Sequence, residues 1–317
     1  MTMNRVCQIL KIEKPVIQAP LYWITSPKMV AAVSNAGGLG VLGLMAGFKK
    51  VDNTYEETMN GMRKAIQETK KLTNKPFALN VFPSAMDPFG FAKGIIQICK
   101  EEGVKTLVLA GDTVESEITK LKEDGFTLIT RELNPTVRGA QKAEKAGSDI
   151  IVATGCDEGG TMPYLSSGTF SQVALLSNAV KVPVLAAGGI VNEKMAKASA
   201  IVGAEGAYVG TRFVLSEENP AAQVVKEDIL ATHPDDYIVF TANHGFSKYR
   251  TTPHKIGKDA LLANKKGNLN PPTGDLFNGV IKGNLDASIN SVSNLAPLIK
   301  SIDPCKKIVE EIARGYL

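Results

Sequence analysis

The 317-residue chain is expected to fold as an α/β protein, a (β/α)8 TIM barrel with a C-terminal helical cap region. Three observations predict this. Eight short apolar runs recur, with helix-compatible segments between them. The last two runs end in glycine, as Val184-Leu185-Ala186-Ala187-Gly188-Gly189-Ile190 and Ala207-Tyr208-Val209-Gly210-Thr211-Arg212. After the second of these the strand–helix period stops. Two glycine endings at the tips of adjacent parallel strands leave backbone N–H groups free to approach a ligand, which is how a barrel of this class cradles phosphate. A phosphate-bearing cofactor or substrate follows.

The runs are 15–19, 39–42, 77–81, 106–109, 126–129, 149–153, 182–186 and 207–209. Parallel strands buried on both faces read as continuous apolar stretches, and their alternation with helices marks βαβ units. Between them, Ser26-Pro27 starts a helix and Gly37-Gly38 stops it. Asn134-Pro135 opens a helix whose apolar side holds Val137, Ala140 and Ala143, and Gly147 closes it. Thr169 is placed to cap the helix carrying Val173, Leu176 and Val180. An open Rossmann sheet fits less well. Gly37-Gly38-Leu39-Gly40 lies between a helix and a strand, the wrong order for a dinucleotide fingerprint.

Residues 1–217 are read as the barrel and 218–317 as the cap packed on it. The stretch 234–272 is polar and loop-rich. Ile289, Val292, Leu295, Ala296 and Ile299 then repeat at helical spacing, as do Ile308, Val309 and Ile312, which predicts two helices over the barrel mouth.

Composition narrows the function classes. The chain is 44% hydrophobic and 21% charged, ordinary for a globular protein. A net charge of +4 is too small and dispersed to indicate nucleic acid, and Lys49-Lys50, Lys70-Lys71 and Lys265-Lys266 read as solvated faces. The residual charge suits an anionic small-molecule substrate or an acidic carrier protein. Cys7, Cys99, Cys156 and Cys305 lack metal or redox spacing, so no metal is expected. With no signal-type N-terminus and no apolar run near the ~20 residues of a membrane span, a cytoplasmic protein is expected.

In order along the chain, Ile17-Gln18-Ala19-Pro20-Leu21, Ala36-Gly37-Gly38-Leu39-Gly40, Asn80-Val81, Gly155 with Gly159-Gly160, Ala187-Gly188-Gly189-Ile190 and Gly210-Thr211-Arg212-Phe213 resemble the nitronate monooxygenase family. These proteins were formerly called 2-nitropropane dioxygenases, and the family includes flavin-dependent enoyl-acyl-carrier-protein reductases. The ending Asp303-Pro304-Cys305-Lys306-Lys307-Ile308 is similar to the family tail. The resemblance implies FMN at the C-terminal face of the barrel. Gly188, Gly189, Gly210 and Thr211 would hold its phosphate, with Gly160 nearby. Ala19, Pro20 and Leu21 would run beneath the ring, Asn80 would bond a ring polar atom, and Thr136 matches a hydroxyl residue near the flavin. Nitronate oxidation with dioxygen is the implied reaction. An NAD(P)H-dependent enoyl reductase acting on acyl carrier protein is the alternative, and a homodimer is compatible with either. A flavin-free lyase or isomerase of a phosphorylated metabolite, or a flavin-binding protein without catalysis, would use the same cradle.

Two positions depart from the family pattern. The loop Gly155-Cys156-Asp157-Glu158-Gly159-Gly160-Thr161-Met162-Pro163 has Thr161 where the family resemblance implies a catalytic histidine. A hydroxyl does not accept a proton near neutral pH, whereas imidazole does. Asp157 and Glu158 are the substitute acid–base candidates beside Thr161, and Cys156 is a further nucleophile candidate. Tyr22, Trp23 and Tyr164 are candidate walls for substrate or ring. His233, His244 and His254 all lie in the C-terminal region. The family's Gly-Gln pair in the penultimate helix is replaced by Ser293-Asn294.

Overall fold

The computed structural model describes residues 4–46, 48, 54–82, 87, 90–112 and 114–316. Lys49-Lys50 falls outside them. In chain order the barrel portion comprises α1 (Arg5–Leu10), β1 (Val16–Gln18), α2 (Pro27–Asn35), β2 (Gly40–Leu42), α3 (Tyr55–Leu72), β3 (Phe77–Val81), α4 (Ala92–Glu101), β4 (Thr106–Ala110), α5 (Glu115–Glu123), β5 (Thr127–Arg131), α6 (Val137–Ala146), β6 (Ile150–Thr154), β7 (Gly160–Pro163), α7 (Thr169–Ser177), β8 (Val184–Ala187), α8 (Glu193–Ile201), β9 (Gly206–Val209) and α9 (Thr211–Val214). There follow α10 (Gln223–Ala231), β10 (Ile238–Ala242), β11 (Ser247–Thr251), α11 (Lys255–Lys265) and α12 (Cys305–Ala313).

Eight parallel strands run in the order β1-β9-β8-β6-β5-β4-β3-β2. The ring closes through a parallel bridge from Ile17 to Leu39, where Leu39 N donates to Val16 O at 2.9 Å and Gln18 N to Leu39 O at 3.0 Å. Each of the eight apolar runs became one of these strands. The barrel is therefore built as expected.

Period-two alternation divides each strand between two cores. Ile17, Val41, Ala78, Val108, Ile129, Val152, Leu185 and Tyr208 fill the interior. Leu79, Leu107, Leu109, Leu128 and Ile151 face the helices. Helix α1 closes the N-terminal end with Val6, Cys7 and Leu10, its start fixed by Asn4 Oδ1 accepting Val6 N at 2.9 Å. Ser26 caps α2 by accepting Met29 N, with Pro27 at its first position, and Gly147 ends α6. The cap of α7 is Gly168 rather than Thr169, and α7 stops at Ser177, short of Val180.

The C-terminal region differs from the helical cap expected. Strands β10 and β11 form an antiparallel ribbon, and β11 pairs with β7, giving a three-stranded sheet that ties the ribbon to the loop after the sixth barrel strand. Strand β11 is polar, whereas β10 carries the apolar run Ile238-Val239-Phe240, and Phe240 and Ala242 turn to a small core with Ala260 and Ile289. The polar residues of β11 and its flanks make 234–272 read as loop and hide the short β10 run. The pattern through Ile289, Val292, Ala296 and Ile299 is buried but not helical beyond a 3-10 turn at Ala296–Leu298. Pro297 cannot continue an α-helix, and the Ser293 hydroxyl donates away to Asp157 O at 2.6 Å.

Helix α12 forms where expected but not over the mouth. Ile308, Val309 and Ile312 pack in the barrel's outer core, and the helix lies against α2 and α8, in the place of the eighth barrel helix. The cap is thus inserted between the last barrel strand and this helix. Buried Arg212, just after the last strand, pairs with Asp303 at the helix entry, and Lys307 adds a second cation at 2.6 Å. Among the described residues no helix is long and apolar enough to cross a membrane.

Candidate active site

The tips of β8 and β9 carry the glycines expected to form a cradle. Gly188 and Gly189 adopt φ of +107° and +70°, left-handed conformations that favour glycine. A Cβ at Gly188 would lie 2.6 Å from Thr169 Oγ1 and 2.9 Å from Glu158 N; one at Gly189 would lie 2.7 Å from Leu295 Cδ1. Gly210 precedes α9, with the Leu21 side chain beside it. Thr211 Oγ1 accepts Ser293 N at 3.1 Å, so the cap reaches the cradle directly. Gly159, rather than Gly160, lies against Thr211: a Cβ there would sit 2.8 Å from Thr211 Oγ1 and 2.7 Å from Ser293 N.

The loop after β6 is held from three sides. Asp157 Oδ2 accepts Thr169 N at 2.6 Å and Asp157 Oδ1 accepts Asn294 Nδ2 at 2.7 Å. Both carboxylate oxygens are occupied, so Asp157 fastens the loop to α7 and the cap. Arg250, on β11, donates to Glu158 O at 2.8 Å and Cys156 O at 3.0 Å. Strand pairing then fixes Thr161 opposite Tyr249, with Thr161 Oγ1 donating to Tyr249 Oη at 3.0 Å.

Glu158 turns its side chain to Arg131, the last residue of β5, at 2.6 Å; 15% and 13% of the two side chains are exposed. The same guanidinium donates to Thr161 O at 3.2 Å. Burial pushes the Glu158 carboxyl up to about 7, against the opposing pull of Arg131 and Arg250. Tyr208, an inward residue of β9, faces this pair, and burial pushes its hydroxyl up. Burial likewise raises the Cys156 thiol, with Asp157 adding to the effect, which is the opposite of what activates a nucleophile.

The remaining expected residues divide. Ala19, Pro20 and Leu21 follow β1 at the mouth, where Leu21 N donates to Thr25 Oγ1 at 2.9 Å. Asn80, on β3, is buried and donates from Nδ2 to Val108 O at 3.1 Å. Thr136 is exposed and caps α6, accepting Gly139 N at 3.0 Å. Trp23 holds φ +66° and packs edge-on against Phe277 at 5.1 Å and Tyr22 at 5.6 Å, an apolar wall on the β1 side. Tyr164 is exposed at the rim, where Asn134 Oδ1 accepts its N–H at 2.9 Å. His233 and His244 are exposed, and His254 Nε2 pairs with Asp228 at 2.8 Å inside the cap. None replaces the imidazole.

Arg131, Arg250 and Tyr249 were not singled out from sequence. A cation ending an apolar strand run was a readable sign for Arg131. The other two sit in the stretch that reads as loop and carried no such sign.

The donor set suits a phosphate-bearing group. Two glycine tips, the Thr211 hydroxyl and the start of α9 share one face of the barrel with a buried cation–carboxyl pair. Asn294 Oδ1 is buried there with no protein partner among the described residues, an acceptor suited to a ligand donor.

The family model for nitronate monooxygenase matches residues 3–315. A probable nitronate monooxygenase of Staphylococcus aureus is 32% identical over 287 residues, covering 76% of each chain. A hydroxy-methyl-oxo-octahydroindene-carboxyl-CoA dehydrogenase of Rhodococcus jostii is 31% identical over 253 residues, covering 78% of this chain and 64% of the relative. The structure of FabK from Thermotoga maritima superposes with a TM-score of 0.86 at 30% identity, over 100% of this chain and 96% of that one.

Proposed function

The chain belongs to the nitronate monooxygenase family, and from that premise we propose that it is an FMN-dependent oxidoreductase that oxidises alkyl nitronates with dioxygen in the cytoplasm. The observation that carries this reading is at position 161. A hydroxyl fixed in a β-ladder stands there, and the histidines lie on the surface or inside the cap. Removing a proton from a neutral nitroalkane needs a positioned base. A nitronate arrives ionised and needs binding, not deprotonation.

Gly188, Gly189, Gly210 and Thr211 are the residues assigned to the FMN phosphate. Ala19, Pro20, Leu21 and Asn80 are assigned to the ring. Bound flavin supplies the electron chemistry. The chain's own residues set the field. When Glu158 holds a proton, Arg131 is left with uncompensated charge at the mouth, and an anion is attracted. When Glu158 ionises, the pair is neutral and that attraction is lost. Asp157, Asn294 and Arg250 keep the loop in place.

A second reading is favoured by the FabK superposition over the full chain. There NAD(P)H is the electron donor, an enoyl thioester the acceptor and acyl carrier protein the partner. Anaerobic mixing separates the two. Fast bleaching of the flavin spectrum by a nitronate, and slow bleaching by NADH and NADPH, is expected. The reverse order, with turnover of an enoyl thioester, would transfer the assignment to the reductase.

A further inference from the structure

We propose that Tyr249 is a substrate-contacting residue whose phenolic O–H donates to the charge-bearing oxygen of the bound substrate, with Thr161 as the positioning residue that orients it. The inference rests on the proposed reading that an oxidisable or reducible substrate occupies this mouth. It names the group that stands in for the missing imidazole.

Among the described residues of the loop after β6, the charged side chains are engaged. Asp157 has both oxygens occupied, Glu158 is paired with Arg131, and Arg250 holds two carbonyls. Thr161 donates its proton to Tyr249 Oη, so the phenol oxygen accepts and its own proton is free to be given elsewhere. The ring cannot swing away. It stacks on Phe240 with centroids 5.7 Å apart and belongs to the small core that includes Leu276, which also packs on the barrel. Tyr249 is nonetheless not fully buried. Its hydroxyl end is fixed beside Thr161, whose carbonyl bonds Arg131 at the tip of β5. A rigid neutral donor thus stands beside Thr161, whose backbone carbonyl is held by the Arg131 of the Arg131–Glu158 pair. That combination recognises an oxygen carrying negative charge: either nitronate oxygen, or the carbonyl oxygen of a thioester during reduction.

The test uses the flavin-loaded full chain and the variants Tyr249→Phe, Thr161→Val and Thr161→Ser. With an alkyl nitronate, Tyr249→Phe should lower kcat/KM about 10- to 100-fold, the worth of one hydrogen bond to a charged group. Its flavin spectrum should not change. Thr161→Val should lose part of that factor and Thr161→Ser should restore it. The pH inflection set by Glu158 should persist in all three, which a general loosening of the loop would not allow. Tyr249→Phe within twofold of the parent, while the parent turns over nitronate, would overturn the proposal and leave the functional reading intact. A parent inactive on nitronates but active on an enoyl thioester with NADPH moves the same comparison to that substrate, where the same loss is expected. A parent inactive toward both would overturn the functional reading and this proposal together.

Discussion

Glu158→Gln is the most direct probe of the electrostatics at the mouth. Burial outweighs the pull of Arg131 and Arg250 and pushes the parent carboxyl up to about 7. One pH unit below that value about 90% of molecules hold the proton, and one unit above about 10% do. If the protonated form is the one that attracts an anion, kcat/KM for a nitronate should fall about tenfold between about pH 6 and about pH 8. In Glu158→Gln the Arg131 charge is uncompensated throughout, so the profile should be flat and remain at the low-pH level. Steady-state oxygen uptake across that range, with the flavin content of each sample measured, reads both. A parent profile with no inflection, or an inflection that survives in Glu158→Gln, would refute the reasoning. The same raised carboxyl has a thermodynamic counterpart. The folded chain keeps a proton that the unfolded chain releases, so this contribution to stability is present below the ordinary carboxylate range and lost as pH rises through about 7.

Other perturbations reach the cradle and the barrel closure. Gly189→Asp puts a Cβ against Leu295 at a φ of +70° and a carboxylate beside the phosphate residues, so most of the flavin absorbance should be lost; full retention would contradict the cradle assignment. Asp303→Ala should destabilise the fold by about 3–5 kcal/mol in a denaturant melt, because it strands buried Arg212. In the parent, burial of Asp303 is outweighed by the hydrogen bonds from Lys307, Ser301 and Arg212, which hold its carboxyl at about 2. Its stabilisation should therefore be complete above the ordinary carboxylate range and lost as pH falls through about 2. Deleting residues 303–317 removes Ile308, Val309 and Ile312 from the barrel's outer core, and the shortened chain should be insoluble or melt far lower. An unchanged Tm would show that α12 is not the eighth helix of the ring.

What could be read from sequence follows from burial. The barrel strands are covered on both faces, so each appears as an unbroken apolar run, and their tips could be placed to within a residue or two. The ribbon strand β11 is covered on one face, and Lys248 and Arg250 make it read as loop, while β10 is a short apolar run, Ile238-Val239-Phe240, set in polar surroundings. At 289–299 the apolar spacing imitates a helix, while Pro297 and the outward bonds of Ser293 and Asn294 prevent one. The two glycine-ended strand tips were legible because each closes an unbroken apolar run. The rest of the candidate site was legible only as a gap at Thr161, since its surroundings are assembled from β5, β11 and the segment around Ser293, which are far apart in the chain. Pairing between β7 and β11 brings Tyr249 to Thr161, and no local pattern announces that register.

The central claim is that this mouth takes a substrate already ionised, because Thr161 stands where an imidazole would accept a proton and the Glu158 carboxylate is tied to Arg131. The measurement that tests it most directly is the ratio of initial rates for an alkyl nitronate and its neutral nitroalkane on the flavin-loaded protein, each assayed before the two forms interconvert. Positioned general bases typically contribute ~10²–10⁴-fold, so the nitronate should be faster by a factor of that order. Thr161→His should narrow the gap. Equal rates for the two forms in the parent would contradict the account, and would mean that a side chain at this mouth is removing the proton.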